Sequence, residues 1–105
     1  MSEYSEVLRK DDQGGYLHRC PGCKGFHRIA VEKAQPNGAQ WTFDGNMGKP
    51  TFSPSVKVTW KWGEEQRDEC CHYFIRAGNI EFCADSTHDL AGKSVPLPPF
   101  DAGGD

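Results

Sequence analysis

Two cysteines separated by Pro21 and Gly22, with strand-like runs on both sides, constrain this chain more than any other feature. The spacing of Cys20 and Cys23 lets two thiolates reach one tetrahedral ion, and Gly22 permits the tight backbone between them. At the start of a helix in a βαβ setting, the same four residues would read as a thioredoxin-like redox site. Here Lys24-Gly25-Phe26-His27 and a strand-like run follow, so the motif reads as a zinc knuckle. Size argues the same way. The chain has 105 residues, of which 36% are hydrophobic. One domain of that length buries a modest core, and small domains use staples such as a metal.

Five cysteines is an odd number for a disulfide framework. The polar, acidic start, Met1-Ser2-Glu3-Tyr4-Ser5-Glu6, has neither the basic nor the apolar region of a secretory signal. No apolar run approaches the roughly 18 residues that span a bilayer. The expectation is a cytoplasmic protein without a membrane segment, in a compartment where thiols stay reduced and bind metal. Net charge is −3, and the 12 basic residues are scattered. A nucleic-acid partner is therefore disfavoured, and Arg19, Lys24, Arg28 and Lys33 read as solvated surface.

Short alternating segments between turn residues predict a mainly β chain. Residues 1–14 read as a flexible N-terminal arm, 15–98 as a zinc-stabilised β domain and 99–105 as a disordered tail. Strands are expected over 16–20, 26–31, 40–44, 55–62, 71–76 and 79–84. In the fourth, Val56, Val58, Trp60 and Trp62 share one face. Residues 63–69 read as a charged loop and 86–92 as a single helical turn. The expected architecture is six or seven short strands in one small domain, packed as a sandwich or an open barrel.

The second half of a zinc site must come from Cys70, Cys71, His72, Cys83, Asp85 and His88. A hairpin turning at Ala77-Gly78 sets Ile75 opposite Ile80, Tyr73 opposite Phe82 and His72 opposite Cys83. Alternation then puts Cys71, Tyr73, Ile75, Ile80 and Phe82 on an apolar core face. His72, Phe74, Cys83 and Asp85 fall on the other. Two ligand sets follow. One is Cys20, Cys23, Cys71 and His88. The other joins Cys20 and Cys23 to His72 with Cys83 or His88, and a one-residue slip of register exchanges the sets. His27, four residues after Cys23, could also complete a local site, and His18 less readily. A different chemistry is open to His72, Asp85 and His88. These nitrogen and oxygen donors suit a metal-dependent hydrolase. Phosphate loops and the Gly-x-Ser-x-Gly motif are absent. Pro50-Thr-Phe-Ser-Pro-Ser55 reads as an extended crossover whose hydroxyls at Ser53 and Ser55, beside Trp41, could contact a ligand.

Five blocks carry a resemblance. They are Cys20-Pro-Gly-Cys23 with His27, Trp41-Thr-Phe-Asp-Gly45, Pro50-Thr-Phe-Ser-Pro-Ser55, Cys71-His-Tyr-Phe-Ile-Arg76 and Asp85-Ser-Thr-His88 leading to Leu90-Ala-Gly92. Over residues 16–98 the chain resembles a family of small phage and prophage proteins, some labelled "ammonia monooxygenase". Many members carry Cys where this chain has Ser86. The resemblance implies a zinc-binding phage accessory protein that binds a host or phage protein, for instance to inhibit a host defence complex. Metal-dependent catalysis through His72, Asp85 and His88 stands second, and a phage structural or assembly role third. The sequence leaves the oligomeric state open.

Overall fold

Strands alternate inward and outward side chains, so a chain of short alternating segments buries its apolar faces by stacking two sheets. The computed structural model describes residues 7–100. Eight antiparallel strands form two sheets. β1 (Arg9–Lys10), β2 (Gly15–Cys20) and β3 (Gly25–Ala30) make the smaller sheet, in that order. The larger sheet runs β4 (Thr42–Phe43), β5 (Phe52–Trp62), β6 (Arg67–Arg76), β7 (Asn79–Phe82) and β8 (Ser94–Pro96). Tyr16, His18, Cys20 and Ile29 from the smaller sheet are buried with Val56, Cys71, Tyr73, Ile75, Ile80 and Phe82 from the larger. This is the mainly β domain that the alternation predicts, with eight strands in two sheets where six or seven, in a sandwich or an open barrel, were expected.

The hairpin of β6 and β7 has the expected register, with Tyr73 opposite Phe82 and Ile75 opposite Ile80. Positive φ at Ala77 and Gly78 makes its turn. Other elements differ. β6 begins at Arg67, inside the expected charged loop, because the long β5 offers a partner as far as Trp62. Lys61 and Asp68 pair across this end. A turn closed by Gln66 N–H to Gly63 O joins the two strands. Residues 86–92 hold separate turns instead of a helical one. Ser86 N–H bonds back to Cys83 O and Thr87 N–H to Cys70 O, so no helical ladder starts there. β8 pairs with β7 near the end of the expected β domain, where no strand was expected, and Leu97 N–H donates to Gly78 O.

The first six residues of the expected arm lie outside the described residues; within the remainder, Leu8 is fully buried and β1 pairs with β2. The expected tail is outside them from residue 101 onward, and the Phe100 ring packs on Phe26 with centroids 4.7 Å apart. Among the described residues, no helix is long and apolar enough to cross a membrane.

One irregularity positions the site. Phe52 pairs with Ile75 but Val56 with Tyr73, so four steps along β5 match two along β6. The extra chain is a bulge at Ser53-Pro54-Ser55, with a cis Ser53–Pro54 peptide bond. Bulges re-aim side chains.

Candidate active site and metal centre

β6 serves two sites, because consecutive strand residues face opposite ways. Cys71 and Tyr73 point into the core, while His72 points to the outer face of the larger sheet. There its ring lies between a hydroxyl and a carboxylate. Ser55 Oγ, at the end of the bulge, is 3.0 Å from His72 Nε2. Asp85, just beyond β7, has its oxygens 3.0 and 3.1 Å from His72 Nδ1. A carboxylate accepts, so Nδ1 carries the proton and the Nε2 lone pair faces the Ser55 hydroxyl.

Supporting contacts fix all three residues. Ser86 Oγ accepts from His72 N–H and donates to His72 O, both at 3.0 Å. Cys83 N–H donates to the same carbonyl at 2.8 Å. The Trp41 indole N–H donates to Ser55 O at 3.0 Å. Lys57 Nζ stands 3.7 Å from Asp85 Oδ2. Loss of water works to raise the Asp85 pKa, but the His72 hydrogen bond and the Lys57 charge hold it below its ordinary value.

The inner face carries the cysteines. Residues 21–24 form the loop of the β2–β3 hairpin, closed by Lys24 N–H to Cys20 O at 2.8 Å. A hairpin loop is not the helix start that redox chemistry requires. Ligand atoms of Cys20, Cys23, Cys71 and His27 all lie within 4.8 Å of one another, a geometry compatible with zinc. Cys20 and Cys71 sulfurs are 3.6 Å apart. Cys23 N–H donates to Cys20 Sγ at 3.4 Å, as in zinc knuckles. Hydrogen bonds from Cys23 and Cys71 push the Cys20 thiol far down, and the same contacts push Cys23 and Cys71 up. Three crowded thiols cannot all ionise without a cation between them.

Which histidine can serve as the fourth donor follows from hydrogen bonding. The chain begins at a backbone carbonyl, which only accepts. His18 Nδ1 is 3.3 Å from Arg19 O, so it carries the proton and Nε2 is an acceptor. Burial pushes the His18 pKa down to about 4, which keeps the ring neutral. Tyr73 Oη, 2.7 Å from His18 Nε2, must donate to it. Burial raises the Tyr73 pKa well above its ordinary value, so the hydroxyl proton stays. His27 Nδ1, 3.0 Å from the same oxygen, therefore donates to Tyr73. That leaves Nε2 with the His27 lone pair, and a ring nitrogen of His27 lies within 4.8 Å of all three sulfurs. His88 has the opposite tautomer. Its Nδ1 accepts Leu90 N–H at 3.2 Å, so Nε2–H points at Cys71 Sγ, 3.4 Å away. Its ring covers Gly22, where a Cβ would come within 2.3 Å of His88 Cε1.

The structure thus gathers Cys20, Cys23 and Cys71 with His27, and sets His88 against Cys71 as a donor. His72 and Cys83 are not with the knuckle. They form a second group with Asp85 on the outer face, because one strand step reverses the side chain. The metal-dependent trio also divides: His72 and Asp85 are together, while His88 lies on the cysteine side. Both His72 nitrogens are hydrogen-bonded, to Ser55 and Asp85, while the ligand atoms of His72, Cys83 and Asp85 lie within 4.8 Å of one another. Residue pattern alone missed the role of Ser55. The Pro-bracketed Ser53 and Ser55 were a signal, but only the bulge aims one of them at His72.

A serine hydroxyl, an imidazole and a carboxylate in hydrogen-bonded line define the serine-hydrolase class of site. The chain belongs to the family described as bacterial ubiquitination-like system serine protease (BubE), which matches residues 2–83. The match takes in Ser55 and His72 and ends two residues before Asp85. No curated protein and no solved structure matches the chain. The family assignment corrects the resemblance to phage and prophage proteins and the "ammonia monooxygenase" label. The phage accessory, host-defence and phage assembly readings are withdrawn with it. The residue blocks behind that resemblance are knuckle, core and Ser–His–Asp positions. They carry fold and chemistry, not biological source.

Proposed function

We propose that this chain is a serine protease with Ser55 as nucleophile, His72 as general base and Asp85 as the carboxylate that orients it. The Ser55–His72–Asp85 hydrogen-bond line carries this reading. Ser55 Oγ attacks the carbonyl carbon of a peptide bond while His72 Nε2 takes the hydroxyl proton. Nδ1–H stays on the ring, and the Asp85 charge stabilises the imidazolium. His72 returns the proton to the leaving amine as the C–N bond breaks, leaving an ester on Ser55. Water, deprotonated by His72, cleaves that ester, releases the acid and restores the hydroxyl. The family description supports a substrate from a ubiquitination-like system, hence a protein.

A zinc ion held by Cys20, Cys23, Cys71 and His27 would staple the two sheets, since its ligands come from both. The five unpaired cysteines fit the reducing bacterial cytoplasm. Labelling with a fluorophosphonate, followed by peptide mapping, tests the hydrolase. Adduct on Ser55 alone, lost in Ser55→Ala and in His72→Ala, is the expected result. A fully folded protein that takes no label refutes it.

A further inference from the structure

The nucleophile lies on a strand that lacks a partner along most of one side. β5 has β6 on one side from end to end, but on the other side β4 pairs only with Phe52 and Ser53. Among the described residues, no strand lies beside 54–62 on that side. An open edge exposes backbone donors and acceptors that an extended chain can pair with.

Two observations fix which residues present them. The Ser55 carbonyl faces the open side, because the Trp41 indole reaches it there. Backbone groups alternate sides along a strand, so those of Lys57 and Thr59 face outward too. β6 gives the same answer. The His72 carbonyl is turned toward Cys83, so Cys71 and Tyr73 turn toward β5, where they face Val58 and Val56. Lys57 and Thr59 are again left pointing outward.

The edge is also one wall of a groove of about 470 Å³. Phe26 and Arg28 of β3, itself an edge strand, form the opposite wall with Asn37. Trp41 closes the Ser55 end. From Ser55 to Thr59 the edge spans roughly 13 Å, the length of about four extended residues. Ser55 is at one end of this edge, with its carbonyl toward the open side and its Oγ 3.0 Å from His72 Nε2.

We propose that the open β5 edge is the substrate site: an extended polypeptide pairs with Lys57 and Thr59 and brings its scissile carbonyl to Ser55. This rests on the serine-protease reading. The backbone supplies affinity without regard to sequence, and the groove supplies side-chain selection.

The test uses the full chain, a fluorophosphonate and a mixed library of quenched-fluorescent decapeptides. Thr59→Pro removes the outward N–H at a place where an edge tolerates proline. The best library peptide should lose at least tenfold in kcat/KM with this variant, mainly through KM. Thr59→Val keeps the outward N–H and should restore most of the lost kcat/KM, and fluorophosphonate labelling at Ser55 shows that each variant is folded with its nucleophile in place. If Thr59→Pro does not fold, N-methylation of successive amides in the peptide decides on the parent protein: losses should recur at alternate residues. Equal peptide cleavage by folded Thr59→Pro overturns the proposal, as does a uniform N-methyl profile. A protein that labels at Ser55 but cleaves no extended peptide also overturns it. If Ser55 takes no label, the protease reading itself fails, and the edge site falls with it.

Discussion

Cys71 and His72 are neighbours in β6, and their side chains leave the strand on opposite faces of one sheet. The first joins the thiol cluster between the sheets. The second joins Ser55 and Asp85 on the outer face. A single peptide unit thus links the proposed staple to the proposed base, and the two sites can be perturbed separately.

The outer site should carry activity and little stability. Ser55→Ala is expected to lower kcat by roughly ten-thousand-fold or more. Asp85→Asn should cost about ten-thousand-fold, because an amide can hold the wrong imidazole tautomer. Ser55 is only half-buried and Asp85 is exposed. Melting temperatures should therefore stay within about 2–4 °C, the effect of a surface change near 0.5 kcal/mol. Steady-state kinetics and thermal melts check both. More than a tenth of parental turnover in Ser55→Ala would remove it as nucleophile.

Metal removal should act on the fold first. Elemental analysis is expected to give one zinc per chain, with Cys20, Cys23 and Cys71 shielded from a thiol reagent and Cys70 and Cys83 reactive. A strong chelator should unfold the chain, since structural zinc supplies folding free energy directly. His27→Ala should lose the ion. His88→Ala removes a donor to Cys71 sulfur and should weaken zinc by about 10-fold to 100-fold. The reverse ranking would put His88 in the coordination shell and exclude His27.

Tyr73→Phe isolates the hydroxyl that joins two histidines. It deprives buried His18 Nε2 of its donor and His27 Nδ1 of its acceptor. An unsatisfied buried polar group costs about 1–3 kcal/mol, readable as a shift in urea midpoint. Zinc affinity should also fall, because His27 loses the partner that orients its ring. Unchanged stability and affinity would dissolve the relay.

Acid stability should depend on Asp11. The Arg28 hydrogen bond holds its carboxyl down to about 2, assisted by the Gly15 and Gln13 amides. The unfolded chain takes up this proton at higher pH than the folded one. The contribution is therefore fully present above about pH 4 and is lost as pH falls toward 2. Asp11→Asn should be less stable than the parent by about 1 kcal/mol at pH 7, with the gap narrowed to less than half by pH 2.5. Denaturant titrations at the two pH values measure it. A gap of equal size at both would show that the carboxylate charge is not its source.

Much of this layout is legible in residue order. Alternation along 55–62 and 71–76 separates core from outer residues. The Ala77-Gly78 turn sets the hairpin register, which puts His72 and Asp85 on one face. Three features escape such reading. The bulge at Ser53-Pro54-Ser55 breaks the period on which face assignment depends. β8 is three residues long and has no alternation to detect. The choice between His27 and His88 rests on hydrogen bonds to Tyr73 and Leu90, which no spacing encodes.

By itself the sequence determined a mainly β chain with a Cys20–Cys23 knuckle, a core face through Cys71 and Tyr73, and an outer face through His72 and Asp85. These are period-two properties of local backbone geometry. Tertiary structure alone decided that Ser55 meets His72, that His27 joins the thiols, and that β5 is left open beside the nucleophile. Each of those depends on contacts between strands distant in sequence, set by how two sheets stack and where one ladder slips.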